Sequence, residues 1–292
     1  MTADPKAMST TLGRGATSFD YEAKTWGGHE VRLSPTYLGA LRLRYCLEDL
    51  EGVRGRVVEV GCGGGGMARA LKFYRPDLQV IGCDLSRNAA RVAGRMGSGI
   101  EYAVANAYEL PYASESLAGF VMFDVLEHVE DPGRLLKEAY RVLAPDGLLH
   151  MFVPCEGEFH TLHDLLARVG WRAKELYGGH IQRFALTNIK QLLASVGFSR
   201  PLWRWSCHLV NQLADVAYFT VLNLRGRNSS TSVEGYLHSS GRSPLRSLVR
   251  AAKTGVATVS YYESRLAGRV PGAGAHLSGH KNGTEPAQSR RA

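Results

Sequence analysis

Cysteine is scarce and unpatterned: the five in 292 residues, Cys46, Cys62, Cys83, Cys155 and Cys207, form no C-x-x-C pair. An odd number without that spacing argues against a disulfide framework or a structural zinc site, and a reducing cytoplasm is the expected compartment. No apolar run approaches the roughly 18 residues of a membrane-spanning helix. The opening MTADPKAMSTTLGRGATS holds no apolar stretch of the secretory kind, and no internal repeat is present. Surplus charge is missing from the first two thirds. Residues 201–292 hold 12 of the 35 Lys and Arg but only 4 of the 27 Asp and Glu, so the whole net charge of +8 resides there. That surplus reads as solvated helix faces with a basic tail, or as a surface for an anionic molecule, a lipid headgroup or nucleic acid.

Hydrophobic content of 45% and charge of 21% are those of a soluble globule, and 292 residues suffice for one elaborated domain or a domain with a cap. The chain is organised around VVEVGCGGGG, residues 57–66. Val57, Val58 and Val60 read as a buried strand, Gly61 to Gly66 as a tight turn, and Met67, Ala68 and Leu71 as the apolar face of a following helix. Gly61, Gly63 and Gly66 alone match the G-x-G-x-x-G of dinucleotide folds, with Asp84 near the position of a ribose-binding acid. Glu59 separates the two readings. At the carboxyl end of the strand its charge would repel a pyrophosphate and attract a ligand carrying ammonium and sulfonium groups.

The stretch E-V-G-C-G-G-G resembles the first motif of class I S-adenosylmethionine-dependent methyltransferases, in particular the small-molecule enzymes of ubiquinone and menaquinone biosynthesis. The resemblance implies a Rossmann-like doubly wound α/β sheet of seven strands in the order 3-2-1-4-5-7-6, with S-adenosylmethionine as cofactor. It also assigns roles. Glu59 faces the methionine portion, with Gly61, Cys62 and Gly63 in the turn beneath it. LQVIGC (78–83) reads as the second strand and ends on Asp84, which accepts from the ribose diol, beside Leu85. IEYAV (100–104) is the third strand, followed by Asn106 and Ala107 where the family usually has G-D-A. An amide at Asn106 keeps the adenine contact with less charge. LAGFVMF (117–123) is the fourth strand. Phe123 and the D-V-L-E-H-V-E-D-P after it match the family's D-x-L-E-H-x-x-D-P, at the sheet edge where ligands bind. GLLHMFV (147–153) is the fifth.

Residues 155–186 connect to a helix over 186–198, preceded by an H-x-x-x-F from His180 to Phe184 and closed by Gly197-Phe198. His128 and His180 are the candidate general bases, since imidazole titrates near neutral pH. Glu156, Glu158, His160 and His163 follow no metal-binding spacing; His160 and His163 read as a helix-surface pair, and no metal is expected. Cys155 follows the fifth strand, whereas the nucleophile of RNA cytosine-C5 methyltransferases follows the fourth, and no N/D-P-P-Y/F supports DNA amine methylation. Ser199 to Ser206 reads as strand six and GAHLSGHK (274–281) as strand seven.

The expected divisions are a disordered tail over 1–17, a cofactor-binding domain over 18–206 plus 274–281, a helical cap over 207–273, and a disordered basic tail over 282–292. Tyr21 and Tyr37, in an aromatic-rich N-terminal region, are the candidate substrate contacts. The expected partner is a small organic acceptor that is aromatic, isoprenoid or anionic. A dimer through the cap and peripheral membrane contact are secondary expectations. Methylation of nucleic acid by way of the basic last third and a catalytically silent cofactor-binding module are the competing readings.

Overall fold

A computed structural model of the chain describes residue 22, residues 25–225 and residues 244–283. The expectations for Tyr21, for the tail 1–17, for residues 226–243 of the cap and for the chain beyond 283 lie outside the described residues. Seven strands form one sheet in the order β3-β2-β1-β4-β5-β7-β6, the order that the motifs imply. The strands are β1 (Arg56–Val60), β2 (Gln79–Asp84), β3 (Glu101–Val104), β4 (Leu117–Phe123), β5 (Leu143–Pro154), β6 (Phe198–Ser206) and β7 (Gly274–Lys281). Strands β1 to β5 pair in parallel, and β7 runs antiparallel between β5 and β6. Strand β5 begins at Leu143, before the expected Gly147, because Leu143 already pairs with Leu117.

Side-chain alternation along β1 and β4 sends two apolar sets to opposite faces. Val57 and Val121 face helices α1 (Ala40–Asp49) and α2 (Gly66–Tyr74), where Leu43, Leu50 and Leu71 are fully buried. Val58, Val60, Phe120 and Met122 face α4 (Pro132–Val142) and α7 (Leu186–Val196) through Leu135, Leu136 and Ile189. Fully burying such a side chain contributes about 1.5–3 kcal/mol, so these two clusters supply the main driving force. Helix α3 (Arg87–Gly94) begins at Ser86, whose side chain caps the Ala89 amide.

The connection after β5 carries two short helices, α5 (Leu162–Arg168) and α6 (Ala173–Gly178). Helices α8 (Leu209–Arg225) and α9 (Pro244–Leu266) lie between β6 and β7, where the sequence predicts a helical insertion. The end of α1 is bound to the sheet through Asp49, which lies 2.8 Å from His150 Nδ1 in β5 and accepts at 2.8 Å from Arg204 Nη1 in β6. Lys281 closes β7, its buried Nζ donating to Leu143 O at 2.8 Å beside Glu115 at 3.1 Å.

Candidate active site

At the carboxyl end of β1 the glycine turn satisfies its own amides. Gly61 N and Cys62 N donate to Cys83 O at 2.8 and 3.0 Å, and Gly65 N donates to Cys62 O at 2.9 Å. Gly63 N donates to Asp84 Oδ2 at 2.8 Å. The remaining two are taken by an N-terminal strap: Gly64 N donates to Trp26 O at 2.7 Å and Gly66 N to Gly27 O at 2.8 Å. Such close backbone approach explains the glycines. A Cβ at Gly63 would stand 2.2 Å from Trp26 O, and one at Gly66 would stand 2.1 Å from His29 O. Arg69 stitches the two layers, donating to Gly64 O at 2.8 Å and Gly28 O at 2.7 Å. With all six amides engaged, the turn offers no array of donors to a pyrophosphate, the feature on which dinucleotide binding depends.

Glu59 points to the α2 side and is 3% exposed. Burial raises its pKa to about 8, against the Ala68 amide that donates to it and the more distant pull of Arg69. Its Oε2 is buried without a hydrogen-bond partner. A buried carboxyl with an unused oxygen is costly unless a donor or cation completes it. The acid, the engaged turn and Asp84 thus fit a cationic nucleoside better than a phosphorylated one. Asp84 spends one oxygen on Gly63 N and the other on Ser86 N at 2.9 Å, and each oxygen retains a second acceptor site. Asn106 is exposed, its Oδ1 accepting from Tyr108 N at 3.0 Å. Leu85 is exposed at the strand end, while Ala107 and Phe123 are half-buried. Cys62 is buried against Gly82, and burial pushes its thiol up, out of nucleophilic range.

The edge after β4 assembles a second group of residues. Asp124 takes a positive φ of 52° and pairs with Arg42 from α1, whose guanidinium lies 3.9 Å from the centre of the Phe152 ring. Next comes a 3-10 turn, Leu126–His128. Its His128 Nδ1 lies 3.0 Å from Gly179 O, and the ring meets that of His180 edge-on at 4.9 Å. The Glu127 carbonyl accepts from the amides of Ile181 and Gln182, both at 3.0 Å, which fixes the His180 loop against the turn. His180 Nδ1 lies 3.1 Å from Glu156 Oε1. Behind it Lys174 reaches Glu156 and Asp215, both at 2.6 Å, and His163 lies 3.0 Å from Asp215. This network draws on the segment just after β5, on the loop after α6, and on α5, α6 and α8.

Its ionisation follows from burial and pairing. Burial, with the neighbouring His180, lowers the pKa of His128 to about 4, so the ring is neutral near pH 7 and a weak proton acceptor. Burial opposes the charge on His180, but Glu156 outweighs it and holds the pKa above the usual histidine value. Burial raises Glu127 to about 8, with His180 pulling the other way. Neither histidine is thereby tuned as an isolated base at neutral pH.

Other anticipated residues lie elsewhere. Tyr37 is half-buried in a cluster with Ala40, Leu41, Tyr45 and Tyr261 of α9, a packing position. His160 is exposed, whereas His163 is buried, so the two do not form a surface pair. Glu158 accepts from Leu186 N at 2.8 Å at the start of α7. The strap at residues 26–29 and the Lys174 and Asp215 pairing went unanticipated. The first acts through backbone atoms and the second joins positions 41 residues apart, so neither leaves a local motif.

The sheet order, the glycine turn ending β1 and the carboxylate ending β2 define a class I methyltransferase fold. Residues 58–151, about a third of the chain, match the family model described as a methyltransferase domain. The ubiquinone biosynthesis O-methyltransferase of Aliivibrio fischeri is 31% identical over 143 residues, covering 46% of this chain and 58% of that protein. The chain thus matches less than two thirds of the length of that curated relative. A Thermotoga maritima structure titled as a SAM-dependent methyltransferase superposes with a TM-score of 0.52 at 20% identity, covering 84% of this chain and 89% of that one. The [4+2]-cyclase SpnF gives 0.55 at 19% identity, covering 84% and 82%. These structures share the fold, and the cyclase among them illustrates that fold and reaction are separable.

Proposed function

We propose that the protein is an S-adenosylmethionine-dependent methyltransferase acting on a small organic acceptor. The observation that carries the reading is the buried Glu59 carboxyl, with one oxygen unpartnered, beside a glycine turn whose amides are already engaged. The similarity of residues 58–151 to a methyltransferase domain and the name of the Aliivibrio relative support it. When bound, the cofactor supplies a methyl group on a positively charged sulfur. The protein's part is chiefly to align and to exclude water. Glu59 attracts the ammonium and sulfonium end; Asp84 accepts from the ribose hydroxyls with its remaining lone pairs; Asn106 offers its NH2 to an adenine nitrogen; Leu85 and Phe123 flank the base.

The acceptor lies beyond the 3-10 turn, against His128 and His180, with α5, α6 and α8 forming the outer wall. An aromatic, isoprenoid or anionic acceptor fits the aromatic and basic last third. The test is calorimetry with S-adenosylmethionine and NADPH in parallel, followed by mass spectrometry for S-adenosylhomocysteine with a panel of hydroxylated and amine acceptors. Expected are micromolar binding of the sulfonium compound alone and S-adenosylhomocysteine product with at least one acceptor. Binding of NADPH in preference, or tight sulfonium binding with no turnover across the panel, overturns the reading.

A further inference from the structure

We propose that Glu127, His128 and His180 form a binding site for a divalent transition-metal cation of the zinc or iron(II) kind. One ligand atom from each of the three lies within 4.8 Å of the others. His128 Nε2 and His180 Nε2 stand 3.7 and 3.9 Å from the same oxygen, Glu127 Oε1. Those separations exceed hydrogen-bond length. In a tetrahedral site with metal bonds of about 2.0–2.1 Å, ligand atoms sit ~3.3 Å apart. The cation therefore draws the three inward by ~0.5–1.5 Å, within the reach of side-chain rotation.

The surroundings are those of a ligand set. Metal-bound histidines typically engage their second nitrogen with a carbonyl or carboxylate, which fixes the tautomer and aims the other nitrogen at the metal. His128 does so through a hydrogen bond, and His180 faces its carboxylate as an ion pair. His128 Nδ1 is 3.0 Å from the Gly179 carbonyl, and His180 Nδ1 is 3.1 Å from the Glu156 carboxylate. Glu156 is in turn held by Lys174 at 2.6 Å, and Lys174 by Asp215. At the centre, Glu127 is 1% exposed at its side chain, and neither carboxylate oxygen has a hydrogen-bond partner. A buried carboxylate left in that state is strongly disfavoured unless paired or bound to a metal. Two imidazoles and one carboxylate suit zinc or iron(II) rather than magnesium or calcium, which take oxygen ligands. The His128 side chain retains 19% exposure. The cation reaches the site from that side, and its remaining coordination faces water or an acceptor oxygen.

The proposal stands independently of the cofactor reading, because the probe is the metal alone. Protein stripped with a chelator and dialysed is titrated with Zn2+ by calorimetry and with Co2+ by visible absorption. One equivalent is expected, with the intense d–d bands of a four- or five-coordinate nitrogen and oxygen site. Glu127→Gln and His180→Asn should each weaken binding at least 100-fold, and Glu156→Gln about 10-fold through its hold on His180. Circular dichroism and thermal melting report whether each variant folds. Should the two ligand variants unfold, the cobalt spectrum of the wild type and the Glu156→Gln effect decide. No stoichiometric uptake, a pale octahedral all-oxygen spectrum, or equal affinity in folded Glu127→Gln and wild type overturns the proposal.

Discussion

Glu59 holds a proton in the folded protein through much of the physiological range, because burial places its pKa near 8. A cationic ligand favours the ionised form, so binding of S-adenosylmethionine at pH 7 should release up to one proton. Calorimetry in buffers of different ionisation enthalpy reads that release directly, and affinity should rise from pH 6 to pH 8. Glu59→Gln should abolish the release and weaken binding about 10- to 100-fold, about 1.4–2.7 kcal/mol, the scale of a hydrogen bond to a charged group. The same group works against stability with rising pH. Between about 4.5 and 8 the folded carboxyl retains a proton that the unfolded chain has lost, so its contribution declines across that window. Glu59 and Asp84 were legible in the sequence because each ends a strand in a local motif. Glu127 was not singled out, although it lies inside a recognised segment. One of its partners, His180, comes from a loop 53 residues away, and metal-ligand spacing within a short window cannot register such a set.

The glycine turn and the strap over it behave as one element, joined by two amide donors and Arg69. Gly66→Ala forces a Cβ against His29 O and Gly27 O, at 2.1 and 2.5 Å. It should cost about 2–3 kcal/mol and expose residues 25–29 to limited proteolysis. Gly52→Ala, at a φ of +83° but with open space around it, should cost only about 1 kcal/mol. Comparing the two melting temperatures separates crowding from backbone strain. The outer wall rests on a second such joint. Asp215 of α8 holds both Lys174 and His163, and although burial opposes its charge, Lys174 brings its pKa down to about 2. Its stabilisation is present above pH 3.8 and is lost as pH falls through about 2. With its side chain 26% exposed, Asp215→Asn should destabilise by about 1–3 kcal/mol, and the acid limb of a pH–melting profile should flatten. The turn was readable from its glycines, but the strap was not, because peptide carbonyls carry no residue signature.

Across the whole molecule the topology was the most legible feature. Five parallel strands alternate with helices, and the antiparallel end follows from strands six and seven, with two long helices between them. What the order of strands conceals is how much depends on β7. It pairs along its length with β5 on one side and β6 on the other. A chain ending at residue 273 should leave β5 as a raw edge and β6 without a neighbour. Such a chain is expected to be insoluble or to lack a cooperative thermal transition, measured by calorimetry against the full chain. A soluble, cooperatively melting product would show that the first five strands suffice.

Because the gap between β5 and the edge strand β6 is filled by residues 274–281, a nascent chain cannot finish its sheet while that segment is still inside the ribosome. The strand that closes the fold arrives long after the surfaces that await it. Until then the newly made chain displays two unzipped strand borders, the kind of surface through which incompletely folded chains aggregate.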